Sequence, residues 1–216
     1  MDLLRGLVMV IMALDHVRDY FTNVRFDPLD LTQTTAALAF TRLITHFCAP
    51  VFVFLAGTGA YLSLSRGKSR AVLSKFLWTR GLWLIVLEMT VVRLGWEFNF
   101  NYSLAFVQVI WAIGCSMIAL AALVYLPSRV TGLLGVAMIV THNLTDGIDP
   151  GRLGLFGWSW QVLHAGGVIP YAPGHIFLVV YPLIPWVGVM AAGFAFGEVF
   201  SAAPERRKRL LYAIGG

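Results

Sequence analysis

Charge is scarce in this chain. Only 12% of its 216 residues are Asp, Glu, Lys or Arg, against 58% that are hydrophobic, whereas a soluble domain carries about 25% charged residues. A water-soluble enzyme, a disordered segment and a disulfide scaffold are excluded together, because so apolar a chain needs lipid around it. Cysteine is almost as rare: Cys48 and Cys115 lie far apart in apolar runs, with neither a C-x-x-C nor a metal-type spacing. The opening Met1-Asp2-Leu3-Leu4-Arg5 lacks a basic leader and no small-residue cleavage site follows, so the first apolar stretch reads as a retained membrane helix. The net charge of +5 does not point to nucleic acid, since the basic residues sit in short runs between apolar stretches.

What the chain has in quantity is apolar length. A bilayer core of about 30 Å takes roughly 20 apolar residues per helix. The expected fold class is therefore all-α, a polytopic membrane helix bundle of about six full spans, with residues 1–216 forming a single transmembrane domain. The spans fall near 3–22, 46–64, 76–96, 103–126, 131–145 and 174–199. A seventh begins at Leu210 and stops within a few residues, which reads as a fragment of a longer chain. Arg66, Lys68, Arg70, Lys75 and Arg80 surround the second connection, Arg129 lies in the fourth, and Arg206, Arg207, Lys208 and Arg209 follow the sixth span. Basic residues are retained on the cytoplasmic side, so the N-terminus is cytoplasmic. The opposite loops hold Asp27, Asp30, Glu97, Asp146 and Asp149. All five histidines then fall on the outer half.

Ionisable residues in a spanning helix are costly and normally face a bundle interior with a partner. In the first span, Asp15 meets Arg18 and Asp19 at helical spacings, and His16 meets Asp19 and Tyr20. Arg18 neutralises the acidic pair, leaving Asp19 to orient His16, the arrangement a general base needs. The alternative is that the group is the interfacial end of the helix. His46 opens the second span after an amphipathic stretch, Leu31 to Ile44. It either meets His16 across the outer helix ends or is satisfied at the interface. Arg93 pairs with Glu97 at i,i+4, whereas the deeply placed Glu88 must bond across helices, to Arg5 or Arg80, or stay protonated. The aromatic loop with Phe156, Trp158, Trp160 and Tyr171 reads as an interfacial belt, or as a stacking surface for sugar rings. His142, Asp146, Asp149, His164 and His175 are irregularly spaced, so no metal site is expected.

Three segments carry a family resemblance: Asp2-Leu3-Leu4-Arg5-Gly6 leading to Asp15-His16-Val17-Arg18-Asp19-Tyr20-Phe21, then Phe47-Cys48-Ala49-Pro50 with the apolar run to Gly57, then Tyr181-Pro182-Leu183-Ile184-Pro185-Trp186. The chain resembles the bacterial DUF1624 membrane proteins, and through them the catalytic domain of heparan-alpha-glucosaminide N-acetyltransferase. The resemblance implies an acyl-CoA co-substrate, acetyl-CoA or another, on the cytoplasmic side of a bacterial inner membrane. It implies a sugar or glycan acceptor outside and acyl transfer across the lipid bilayer. The lysosomal enzyme has its active histidine between the first two spans, where Thr22 to Thr45 here contains none. His16, with Asp15 and Asp19 beside it, is therefore the candidate base, and His46 an alternate base or acyl carrier. Arg5 and the basic loop with Arg66, Lys68 and Arg80 stand where CoA phosphates would approach. The competing function is a proton-coupled transporter or flippase using Glu88 and the outer histidines, although neither inverted repeats nor paired broken helices are evident.

Overall fold

The computed structural model describes residues 2–23, 26, 28–30 and 32–215, with the side chain of Asp19 excepted. Asp27 and Leu31, assigned above to the first outer loop and its amphipathic stretch, lie outside the described residues. The chain is mostly helical. Helix α1 (Asp2–Phe21) carries acidic Asp2 in its first turn and Arg18 in its last, both favourable to the helix dipole. Thr35 caps α2 (Ala36–His46) by accepting the Leu38 N–H at 3.3 Å. Helix α3 (Cys48–Ser65) follows at once, with Pro50 in its first turn, where a proline's missing N–H is not needed. Ser69 caps α4 (Arg70–Leu87), which runs through a π turn at Glu88–Val92 into α5 (Arg93–Glu97).

Strand β1 (Leu104–Val107) precedes α6 (Val109–Leu123), and α7 (Ser128–Thr141) follows. Two 3-10 turns, His142–Thr145 and Pro150–Phe156, lead to the single-turn α8 (Gly157–Trp160) and a second π turn at Gln161–Ala165. Strands β2 (Gly167–Ala172) and β3 (His175–Val179), then α9 (Leu183–Ser201) and α10 (Pro204–Gly215), complete the chain. The strands correct the expectation of an all-α fold. They form one sheet in the order β1-β3-β2, with β1 parallel and β2 antiparallel to β3. Residues 104–107 and 175–179 had been read as parts of the fourth and sixth spans. They are too short and too β-branched and aromatic to wind before the helices that follow.

The long helices run alternately. Helix α1 lies antiparallel to α3, with Arg5 Nη2 donating to the Leu55 carbonyl at 3.2 Å and the Cys48 thiol 3.7 Å from the Val8 carbonyl. Ser74 of α4 donates to the Ala121 carbonyl of α6 at 2.7 Å, and Ser128 of α7 to Glu198 of α9. Glycines let these helices touch: a Cβ on Gly57 would stand 2.0 Å from the Met190 carbonyl oxygen, and one on Gly193 2.1 Å from that of Phe54. The core holds Val53, Leu73, Leu77, Leu120, Met190 and Phe194, while Leu3, Val10, Phe40, Trp83, Leu133 and Val140 are exposed. Among the described residues, two helical stretches, Ala36–Ser65 and Leu183–Ser201, are by length and composition able to cross a membrane, against the six full spans expected, and Val109–Leu123 is a shorter apolar helix. These directions set Arg5, Arg66, Lys68, Arg70 and Arg129 at one end of the bundle. The sheet lies at the other, with the histidines.

Candidate functional site

Two cavities with charged residues in their walls flank α1. The first, of about 570 Å³, is lined by Asp2 and Arg5, by Gly59 and Ser63 of α3, and by Arg66, Lys68 and Phe76. Helix periodicity turns Arg5 towards α3, where its guanidinium donates to Leu55 and pairs with Asp2 at 3.4 Å. Gly59 leaves room for it, since a Cβ there would meet Arg5 Nη2 at 3.1 Å. The turn between α3 and α4 supplies Arg66 and Lys68. Three of the four residues expected to meet an anionic donor therefore share one cavity. Arg80 stands outside it, one turn beyond Phe76, with its guanidinium carbon 5.6 Å from that ring's centre. Lys68 lies 5.4 Å from the same ring.

The second cavity, of about 340 Å³, is lined by Asp15, His16 and Arg18 of α1, Arg42 of α2, Trp96 of α5, and Gln108 and Tyr181. The parallel strands β1 and β3 deliver its floor: Phe106 and Gln108 at the end of one, Val180 and Tyr181 at the end of the other. Asp15 pairs with Arg18, as its spacing required. It also accepts from Arg42 Nη1 at 2.8 Å and from the Thr45 hydroxyl at 2.9 Å. The His16 ring lies edge-on to Trp96, centroids 5.7 Å apart, and Tyr20 stacks on the other part of that indole at 5.1 Å. The side chain of Asp19 is outside the described residues, and its expected pairing with His16 with it. His46 is exposed at the end of α2 and does not line this cavity. Its expected meeting with His16 has no counterpart in the cavity.

Two expected pairings are corrected. Glu88, 1% exposed, faces neither Arg5 nor Arg80. Its Oε1 accepts the backbone N–H of Gln108 at 2.7 Å. The π turn rotates it towards the start of α6, where an unpaired helical N–H awaits an acceptor. Arg93, also buried, turns from Glu97 to the carbonyls of Asn99, Asn101 and Leu104, with Tyr102 stacked 4.1 Å from its guanidinium. It ties the loop before β1 to α5. Arg42 and Trp96 were not singled out from sequence, and Tyr181 only as the start of the third resemblance segment. For Arg42 the one available signal was a cation on the amphipathic stretch.

At the same end of the bundle, His142, Asp146 and His164 meet, although their irregular spacing argued against a shared site. His164 Nε2 lies 3.1 Å from Asp146 Oδ1. Burial, and then the neighbouring His164 ring, hold His142, in the turn beyond α7, below the ordinary imidazole value against the opposing pull of Asp146.

The chain is thus a mostly helical bundle with a cavity lined by Arg5, Arg66 and Lys68 at one end of its first helix and a cavity lined by His16 at the other. The family model described as heparan-alpha-glucosaminide N-acetyltransferase, catalytic, matches residues 1–214, and the chain belongs to that family. Among curated proteins and solved structures, nothing matches it.

Proposed function

We propose that this chain is a membrane-embedded acyltransferase that takes an acyl group, acetyl in the simplest case, from acyl-CoA at the basic end and passes it to a sugar or glycan acceptor at the histidine end. The observation that carries this reading is the pair of cavities. Arg5, Arg66 and Lys68 converge on one, as a CoA phosphate group requires, and His16 opens into the other. Six alternating helices, α1, α3, α4 with α5, α6, α7 and α9, are the spans of this proposal, and the lipid bilayer covers their exposed Leu, Val and Phe side chains. Retention of the basic end in the cytoplasm follows from the positive-inside rule. It places the N-terminus inside, at the inner membrane if the source is bacterial.

In the reaction, the acceptor amine or hydroxyl binds beside His16. The imidazole takes its proton as the nucleophile attacks the thioester carbonyl carbon, the C–S bond breaks, and the CoA sulfur leaves as thiolate and takes up a proton. Arg18 and Arg42, both held by Asp15 in the wall that His16 shares, supply the positive charge that stabilises the carbonyl oxygen as it becomes negative. Asp15 positions them. His46, outside the cavity, is not assigned a step.

The test is transfer of labelled acetyl from acetyl-CoA to glucosamine by the purified chain in lipid nanodiscs. His16→Gln should lower turnover by about 10²-fold or more while leaving acetyl-CoA binding intact, and Arg66→Glu with Lys68→Glu should weaken binding. A His16→Gln variant with normal turnover removes His16 as the base, and failure to bind acetyl-CoA at all removes the transferase reading.

A further inference from the structure

The histidine pair near the end of α7 belongs to neither cavity. We infer that His142, Asp146 and His164 form a binding site for a divalent transition-metal ion, Zn²⁺ being the ion whose ligand preferences they meet. One nitrogen from each ring and one carboxylate oxygen all lie within 4.8 Å of one another. In a tetrahedral zinc site with bonds of about 2.0–2.1 Å, donors stand about 3.4 Å apart. Small side-chain rotations close the difference, and the His164–Asp146 contact at 3.1 Å is already that short.

Three further observations separate this cluster from a chance meeting of polar residues. The two imidazoles pack with centroids 4.1 Å apart and planes tilted by 53°, which brings a ring nitrogen of each within reach of one cation. His142 Nδ1 is buried and has no hydrogen-bond partner among the described residues. A buried ring nitrogen without a partner costs about 1–3 kcal/mol, which a metal bond at that atom would remove. The His164 ring is locked, being 4% exposed, stacked on Trp160 at 4.6 Å and approached by the Thr145 hydroxyl at 3.4 Å. Such outer contacts fix a ligand's orientation. Asp146, by contrast, is 62% exposed on its side chain and leaves a face open to solvent for a fourth ligand, a water molecule.

Backbone geometry explains why these donors meet. The 3-10 turn at His142–Thr145 puts His142 and Asp146 one turn apart, and the π turn at Gln161–Ala165 swings His164 inward from the far end of the connecting loop. A bound ion would tie the end of α7 to the segment before β2. It would act as a clip, independent of the acyl-transfer reading.

The experiment uses the full chain in detergent, stripped with EDTA and titrated with Zn²⁺ against a chromophoric chelator, with melting temperature followed in parallel. One equivalent should bind at micromolar or lower concentration and raise the melting temperature. Co²⁺ in its place should give the intense visible bands of a four-coordinate site. Asp146→Asn and His142→Ala, which leave the buried His164 in place, should each weaken binding by at least about tenfold, and His175→Ala should not. Binding that survives both substitutions, less than half an equivalent bound, or a Co²⁺ spectrum of the weak octahedral kind would overturn the assignment.

Discussion

Replacing Asp15 by Asn tests whether charge holds the histidine cavity together. Asp15 is 16% exposed on its side chain and faces Arg18 from its own helix and Arg42 from α2. Asparagine keeps the shape and can still accept from Thr45, but it removes the negative charge that Arg18 and Arg42 share. Breaking a fully buried pair costs about 3–5 kcal/mol. The Arg42 side chain is 31% exposed, so solvent screens part of the effect and about 2–3 kcal/mol is the expected loss. For a chain of this size that is a fall of about 4–12 °C in melting temperature, measured in nanodiscs by intrinsic Trp fluorescence. The double substitution Asp15→Asn with Arg42→Gln should recover part of it, because the second change removes a cation that Asp15 had paired. A coupling of about 1–3 kcal/mol is expected. Additive effects, or an Asp15→Asn variant that melts with the wild type, would refute the reasoning. Helix α2 would then be held on α1 by apolar contact alone.

Gly57→Ala should be severe, because its Cβ would stand 2.0 Å from the Met190 carbonyl oxygen and 2.9 Å from the Phe194 nitrogen, both backbone atoms that cannot turn aside. A loss of about 1–3 kcal/mol or more is expected, read as lost monodispersity on size exclusion, while Gly95→Ala, which meets nothing within 4 Å, should behave as wild type. Equal behaviour of the two would mean that the α3–α9 crossing is looser than its geometry. Glu88→Ala leaves the Gln108 N–H buried without an acceptor, at a cost of about 1–3 kcal/mol, whereas Glu88→Gln retains one. A melting temperature lowered by alanine but not by glutamine supports a structural tie. Turnover abolished by both, with stability unchanged, would return Glu88 to a proton-carrying role.

The helices were legible in the sequence because each is a long apolar run bounded by charge or proline. The first two expected spans, 3–22 and 46–64, lie within two residues of α1 and α3. The strands were not, because Leu104-Ala105-Phe106-Val107 and His175-Ile176-Phe177-Leu178-Val179 join the helices after them in one apolar stretch, which periodicity cannot divide. Their parallel pairing joins segments some seventy residues apart, and no local signal carries it. At the site, the contacts within one helix were readable and those between helices were not. Arg18 was found for Asp15 at i,i+3, while Arg42 lay 27 residues away. Glu88 misled for a different reason: the search was for a cation, and its partner is a backbone N–H. Spacing likewise argued against the His142 cluster, since a π turn rather than a regular helix brings His164 to it.

Helix α1 itself restricts the donor. Arg5 and His16 are eleven residues apart, which at 1.5 Å per residue puts their Cα atoms about 16 Å apart along the axis. A phosphate held by Arg5, Arg66 and Lys68 therefore cannot carry a reacting carbonyl on a bond or two and still reach His16. A compact donor such as acetyl phosphate fails on length. A CoA thioester does not, because its anionic head and its reactive carbon sit at opposite ends of a slender flexible arm. Beside Arg5, α3 lines the basic cavity with the small residues Ala56, Gly59 and Ala60 together with Leu62 and Ser63, a mostly apolar wall against which such an arm can lie. Separation of the charged groups along one helix thus favours a long-armed donor over a short one.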